Sequence, residues 1–223
     1  MNSDNNLEQL NPEELAALLK KPEGANGIKV AEMLNGTNIH ITSFTYDSMN
    51  LKDGENILEI GFGNGKLMPK LLDKAKSLKL FGVDFSRNMV EQGKAILKEY
   101  INNGQINLLA ASVEKLPYED DYFDAVCTIN TLYFWPDAVA CCMEVQRVLK
   151  PAGKVYIGIR PKEDAQKIPE TQYGFTLYNK TEALKLLKKA GFKEVLIKMQ
   201  TDPPIDLSGE TKIFNSLVVI GTK

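Results

Sequence analysis

The chain has 223 residues, 43% hydrophobic and 25% charged, ordinary values for a globular protein long enough to bury a real core. Its 27 basic and 29 acidic residues leave a net charge of -2, which lacks the electrostatic footprint of a nucleic-acid binder. The first twenty residues hold no basic segment followed by an apolar one, and no later apolar run approaches the ~18 residues of a membrane span, so no membrane partner and a cytoplasmic location are expected.

Asn11-Pro12-Glu13-Glu14 opens a helix with a capping residue, a proline at the first position and an acid three places on, and Lys20, Lys21 and Pro22 close it. A Gly/Asn-rich break leads to a second short helix over Ile28 to Leu34, ended by Asn35-Gly36, and a third is compatible with the mixed stretch 37–50. Residues 1–51 read as a helical cap on the larger part of the chain, residues 52–223, which reads as one compact unit. Beyond Asp53-Gly54 strands are expected near 56–60, 79–84, 106–111, 123–129 and 154–160, with helices near 66–76, 87–101 and 137–149 between them. Such alternation predicts a doubly wound α/β fold: a mostly parallel sheet with right-handed crossovers and helices on both faces. A helix over about 180–190, capped by Asn179 with Glu182, precedes two closing strands near 192–200 and 213–222. Their Pro/Gly-rich connection, with Pro203, Pro204 and Gly209, suggests an antiparallel hairpin at the sheet edge, for seven strands in all. Cys127, Cys141 and Cys142 fit neither a disulfide framework nor a zinc pattern and read as buried thiols.

Within this order one stretch carries the chemistry. Asn56 to Ile60 is an apolar run containing Glu59, and it leads into Gly61-Phe62-Gly63-Asn64-Gly65 and then Leu67, Met68, Leu71 and Leu72 at helical spacing. Strand, tight turn and helix are implied, with glycines where the backbone takes positive φ and admits a ligand, and with a helix N-terminus suited to an anion. The third glycine stands one place earlier than G-x-G-x-x-G requires, which disfavours a nicotinamide dinucleotide. Leu80-Phe81-Gly82-Val83-Asp84 then ends a second run in an acid, roughly 20 residues on, where a carboxylate reaches ribose hydroxyls.

Four segments together resemble the class I S-adenosylmethionine-dependent methyltransferases, of the type 11-like branch acting mostly on small molecules. They are Leu58 to Gly65; Gly82 to Ser86 with Met89; Val113-Glu114-Lys115-Leu116-Pro117-Tyr118 running into Phe123 to Val126; and Glu144 to Gly153. The resemblance covers about residues 52–223. It implies a Rossmann-like fold, S-adenosylmethionine as the methyl donor with S-adenosylhomocysteine as product, a small-molecule acceptor and no metal. Glu59 is implied to hold the methionine ammonium, Gly61, Phe62, Gly63, Asn64 and Gly65 to pass beneath the methionyl and ribose portion, and Asp84 to take both ribose hydroxyls. Phe85 and Met89 are implied to cover the adenine, with Val113 and Glu114 beside it. Ser112 stands where the family often has an aspartate on the adenine amino group, so weaker adenine recognition is expected.

Asn130-Thr131-Leu132-Tyr133-Phe134-Trp135 falls at the carboxyl edge of the expected sheet, so Asn130 and Tyr133 are expected near the sulfonium and acceptor. If the acceptor must lose a proton, His40 and Tyr133 are the candidate bases, and Tyr173 and Tyr178 are candidates for the acceptor wall. The expected activity is methylation of a small molecule by in-line displacement. The alternative from another class is a non-catalytic S-adenosylmethionine-binding or regulatory module of the same fold.

Overall fold

The computed structural model describes residue 7, residues 10–207 and residues 210–223. Helix α1 (Pro12–Lys20) starts with the expected capping box, the Asn11 side chain accepting from the Glu14 N-H and the Glu14 carboxylate accepting from the Asn11 N-H. Helix α2 (Gly24–Thr37) is longer than its sequence suggests. Gly36 does not adopt positive φ there, so it does not end the helix, and α2 runs to Asn38 where α3 (Ile39–Ser48) begins. Helix α3 is a layer of the domain itself: it packs on the sheet and buries Ile41 and Tyr46 completely.

Strands β1 (Asn56–Ile60), β2 (Lys79–Asp84), β3 (Ile106–Ala110), β4 (Phe123–Ile129) and β5 (Leu149–Ile159) form the parallel part of one seven-stranded sheet. Between them lie α4 (Arg87–Ile96), α5 (Lys98–Asn102) and α6 (Ala138–Val148). After β5 come α7 (Lys162–Ala165), α8 (Lys180–Lys189), β6 (Lys193–Thr201), the small hairpin β7 (Ile205–Leu207) and β8 (Glu210–Lys212), and β9 (Asn215–Thr222). The sheet order is β3-β2-β1-β4-β5-β9-β6, with β9 antiparallel to both neighbours, so the closing pair forms the antiparallel edge expected from the sequence. The sequence did not reveal the extra β7–β8 hairpin within their connection, and Gly209 lies outside the described residues.

Two departures bear on the site. The helix expected over 66–76 is only a 3-10 turn, Met68–Leu71. In an α-helix the Pro69 ring would meet the Gly65 carbonyl, so the chain uses the shorter step instead, with the Met68 N-H on Gly65 O at 3.0 Å and the Lys70 N-H on Leu67 O at 3.1 Å. Four residues build no macrodipole, and the anion-binding helix end anticipated there does not exist. The helix expected over 87–101 breaks at Leu97, whose φ of -98° and ψ of 18° separate α4 from α5.

The sheet divides two apolar layers, one gathering α6, α8 and Trp135, the other α3, α4 and Phe62. Because the chain steps outward from β1 to β2 and β3 and then returns to place β4 on the other side of β1, the loops after β1 and β4 diverge and open a crevice at the strands' carboxyl ends.

Candidate functional site

Five consecutive parallel strands deliver their tips to that crevice. Glu59 is the last residue but one of β1 and Asp84 the last of β2; Ser112, Asn130 and Arg160 follow β3, β4 and β5. Both acids are 6% exposed, costly for an ionised group, and neither has an ion-paired basic side chain among the described residues. Glu59 Oε2 instead accepts the Tyr46 hydroxyl at 2.8 Å. Burial raises the Glu59 carboxyl to about 7, the Tyr46 bond pulling it back and the Asp84 charge pushing it further. Asp84 accepts the Gly63 N-H at 3.0 Å and the Ser86 N-H at 2.9 Å; burial still lifts it to about 6.

Gly61, Gly63 and Gly65 adopt φ of 71°, 61° and 74°, the left-handed region glycine enters freely. A side chain on Gly61 would run into the Thr131 methyl, whereas around Gly63 nothing lies within 4 Å. The turn therefore packs on β4's loop at one glycine and leaves bare backbone toward the crevice at the next. Asn130 also has positive φ, 55°, held by its N-H on Gly158 O at 2.8 Å, and its side chain donates to Asn38 Oδ1 at 3.1 Å. Ser112 Oγ bonds Glu114, donating to Oε2 at 3.0 Å and accepting the N-H at 3.2 Å.

A cavity of about 680 Å³ joins these tips. Glu59, Gly61, Phe62, Gly63, Asn64, Asp84, Phe85, Ser112, Val113, Glu114, Asn130 and Tyr133 all line it. Three residues anticipated at the donor or as bases do not. Gly65 packs against Leu97, and Met89 is wholly buried in α4. His40 is half-buried on α3, where Asn38 and Thr42 line the cavity: two residues from each, it projects from the opposite side of the helix. Tyr133 is at the cavity but its hydroxyl is engaged, accepting the Arg160 N-H at 2.7 Å with Asn130 Oδ1 and Arg160 O each 3.1 Å away. Burial drives its pKa far above that of a free phenol, so as a general base it is poorly suited.

The rest of the lining is largely apolar, with Leu15 and Leu19 of α1, Ile168, Phe175, Ile205 and Phe214. Tyr173 is exposed and Tyr178 is outside the lining, so Phe175 takes the place expected of a tyrosine. The sequence reading missed Arg160, one of only three arginines, placed directly after the apolar run Val155 to Ile159; a cation at that point must end inside the crevice.

The donor set fits S-adenosylmethionine. Two buried carboxylates without basic partners among the described residues suit a molecule bringing an ammonium and ribose hydroxyls, and the Gly63 backbone leaves room for it.

Comparison with known proteins agrees. The family model described as "Methyltransferase domain" matches residues 58–157. The uncharacterized methyltransferase YdaC of Bacillus subtilis is 28% identical over 164 residues, 74% of this chain and 86% of that one. A demethylmenaquinone methyltransferase of Bacillus velezensis is 37% identical over 112 residues, and the match spans 50% of this chain and 48% of that protein's length. Among solved structures, the chain bound to the Haloferax volcanii Trm112 methyltransferase activator superposes with a TM-score of 0.74 at 20% identity, over 94% of this chain and 97% of that one, a likeness of fold.

Proposed function

We propose that the chain, which matches the methyltransferase domain family over residues 58–157, is a class I S-adenosylmethionine-dependent methyltransferase that methylates a small-molecule acceptor lodged against the apolar part of the cavity wall. The observation that carries this reading is the pair of buried carboxylates, Glu59 and Asp84, on adjacent strand tips of one cavity of about 680 Å³ whose remaining lining is largely apolar.

S-adenosylmethionine supplies a methyl group on a sulfonium that is its own leaving group. Glu59 receives the ammonium, its charge restored as the cation arrives, and Tyr46 fixes the carboxylate's orientation. Asp84 takes the ribose hydroxyls while the Gly63 and Ser86 N-H groups hold it in place. Phe85 borders the adenine, and Ser112 and Val113 meet its edge. The Asn38–Asn130 bridge ties the end of α2 to the loop after β4 in the cavity wall. Tyr133 is a positioning residue: its hydroxyl ties the loop after β4 to the backbone after β5. Orientation then carries the rate, and near-attack placement of two bound reactants is worth roughly 7–11 kcal/mol.

The first test is thermal: S-adenosylmethionine and S-adenosylhomocysteine should raise the melting temperature and NAD should not, and NAD protection alone would overturn the reading. Release of S-adenosylhomocysteine on incubation with a metabolite extract then separates the enzyme from a binding module.

A further inference from the structure

Arg160 is a buried charge in the cavity wall whose hydrogen bonding is incomplete. It is 7% exposed, yet its described hydrogen bonding from the side chain is one bond, Nη2 to the Thr37 carbonyl at 3.1 Å. Nη1 is fully buried with no hydrogen-bond partner, although guanidinium carries five donors. Its counter-ion Asp202 stands 3.6 Å from Nη1, close enough to neutralise but beyond hydrogen-bond reach. Asp202 is held back from closing that gap, accepting the Ser216 hydroxyl at 2.9 and 2.8 Å and the Gln200 amide at 3.0 Å. The Phe214 ring lies 4.4 Å from the guanidinium carbon and fixes its plane.

Charge is unevenly set around the wall. Glu59, Asp84 and Glu114 line it at and after the tips of β1, β2 and β3, while the lining around Arg160 is largely aromatic and aliphatic, with Phe214 against the guanidinium and Phe175 against Tyr133. The tips of β1 and β2 thus suit a cation, and the wall around Arg160 suits an apolar body with one anionic group. A carboxylate matches a planar, fixed guanidinium in a way that a neutral amide or a cation does not.

We propose that Arg160 is a specificity-determining residue that binds a carboxylate of an otherwise apolar methyl acceptor, with Asp202 as its positioning residue. The inference rests on the methyl-transfer reading above. An acceptor of this class enters as an anion, its charge meeting Arg160 and its apolar portion replacing water along Leu15, Leu19, Ile168 and Phe175.

The test uses the full chain saturated with S-adenosylhomocysteine and titrated by calorimetry with octanoate, octanamide and octylamine. Octanoate should bind about tenfold or more tightly than octanamide, and octylamine more weakly than either. Because Arg160→Gln alone would leave Asp202 buried and unpaired, the variant used is Arg160→Gln with Asp202→Asn, which should bring octanoate to parity with octanamide; protection by S-adenosylhomocysteine reports that this variant folds. Parity in the wild-type protein, or a preference that survives in the double variant, would overturn the assignment while leaving the methyl-transfer reading intact. A wild-type chain that S-adenosylhomocysteine does not protect would remove both.

Discussion

Single carboxylates at the strand tips set how the donor is held, and each makes a measurable prediction. Asp84→Asn keeps the shape and one acceptor but loses the charge on bonds to two hydroxyls. The expected cost is about 10- to 100-fold in S-adenosylhomocysteine affinity by calorimetry, with an unchanged circular dichroism spectrum. Glu59 behaves differently because its carboxyl sits near 7 in the free protein. The ammonium favours the ionised form, so binding releases a proton, and affinity should be fullest above about pH 7 and weaken as pH falls through it. Titrations between pH 6 and 8 in buffers of different ionisation enthalpy read both effects. Glu59→Gln should bind weakly and lose the part of that slope centred near pH 7, leaving only what Asp84 contributes near pH 6; an undiminished slope near pH 7 would move its origin to another group.

The glycine turn after β1 is the element where conformation and ligand approach separate. Gly61 and Gly63 have similar φ, but only Gly61 faces a neighbour, Thr131, which a side chain would strike. Gly61→Ala should therefore lower the melting temperature more than the ~1–2 kcal/mol of left-handed backbone alone, whereas Gly63→Ala should cost about that amount. Gly63→Ala should instead take a larger toll on donor binding, since its methyl would occupy open space beside Asp84. Comparing melting temperature with S-adenosylhomocysteine affinity for both variants checks this, and equal ratios would refute it. The 3-10 turn next in the chain explains why the burden falls on these glycines: with Pro69 denying an α-helix there, donor binding relies on side-chain carboxylates and open backbone.

At the scale of the whole molecule, the site is a cost to the ligand-free fold. Both acids have folded-state pKa values above their ordinary ones, 4.5 to about 7 for Glu59 and 3.8 to about 6 for Asp84. A raised value means stability complete below the ordinary pKa and lost as pH rises through the folded one. For Glu59 the loss amounts to about 3 kcal/mol by pH 8. The ligand-free chain should melt at progressively lower temperature from pH 5 to pH 8, and Glu59→Gln should flatten part of that decline. S-adenosylmethionine should protect most at the alkaline end, where the charge it neutralises is present. A melting temperature that climbs steadily over this range would contradict the assignment.

Alternation of apolar runs with capped helices was enough to place all seven strands of the main sheet, and Glu59 and Asp84 stood out because an acid at the tip of a buried strand is costly unless something meets it; both do line the cavity. Backbone-conformation needs were equally local, so the glycine turn stood out. What lay beyond reach depends on contacts between distant parts of the chain. Helix phase turns His40 away from the cavity, the hydroxyl of Tyr133 is spent on Arg160 a strand away, and the β7–β8 hairpin brings Ile205 into a wall that α1 completes. Arg160 became visible as a site only when Thr37, Asp202 and Phe214, remote in sequence, closed around it, because a charge's worth is set by what surrounds it in space.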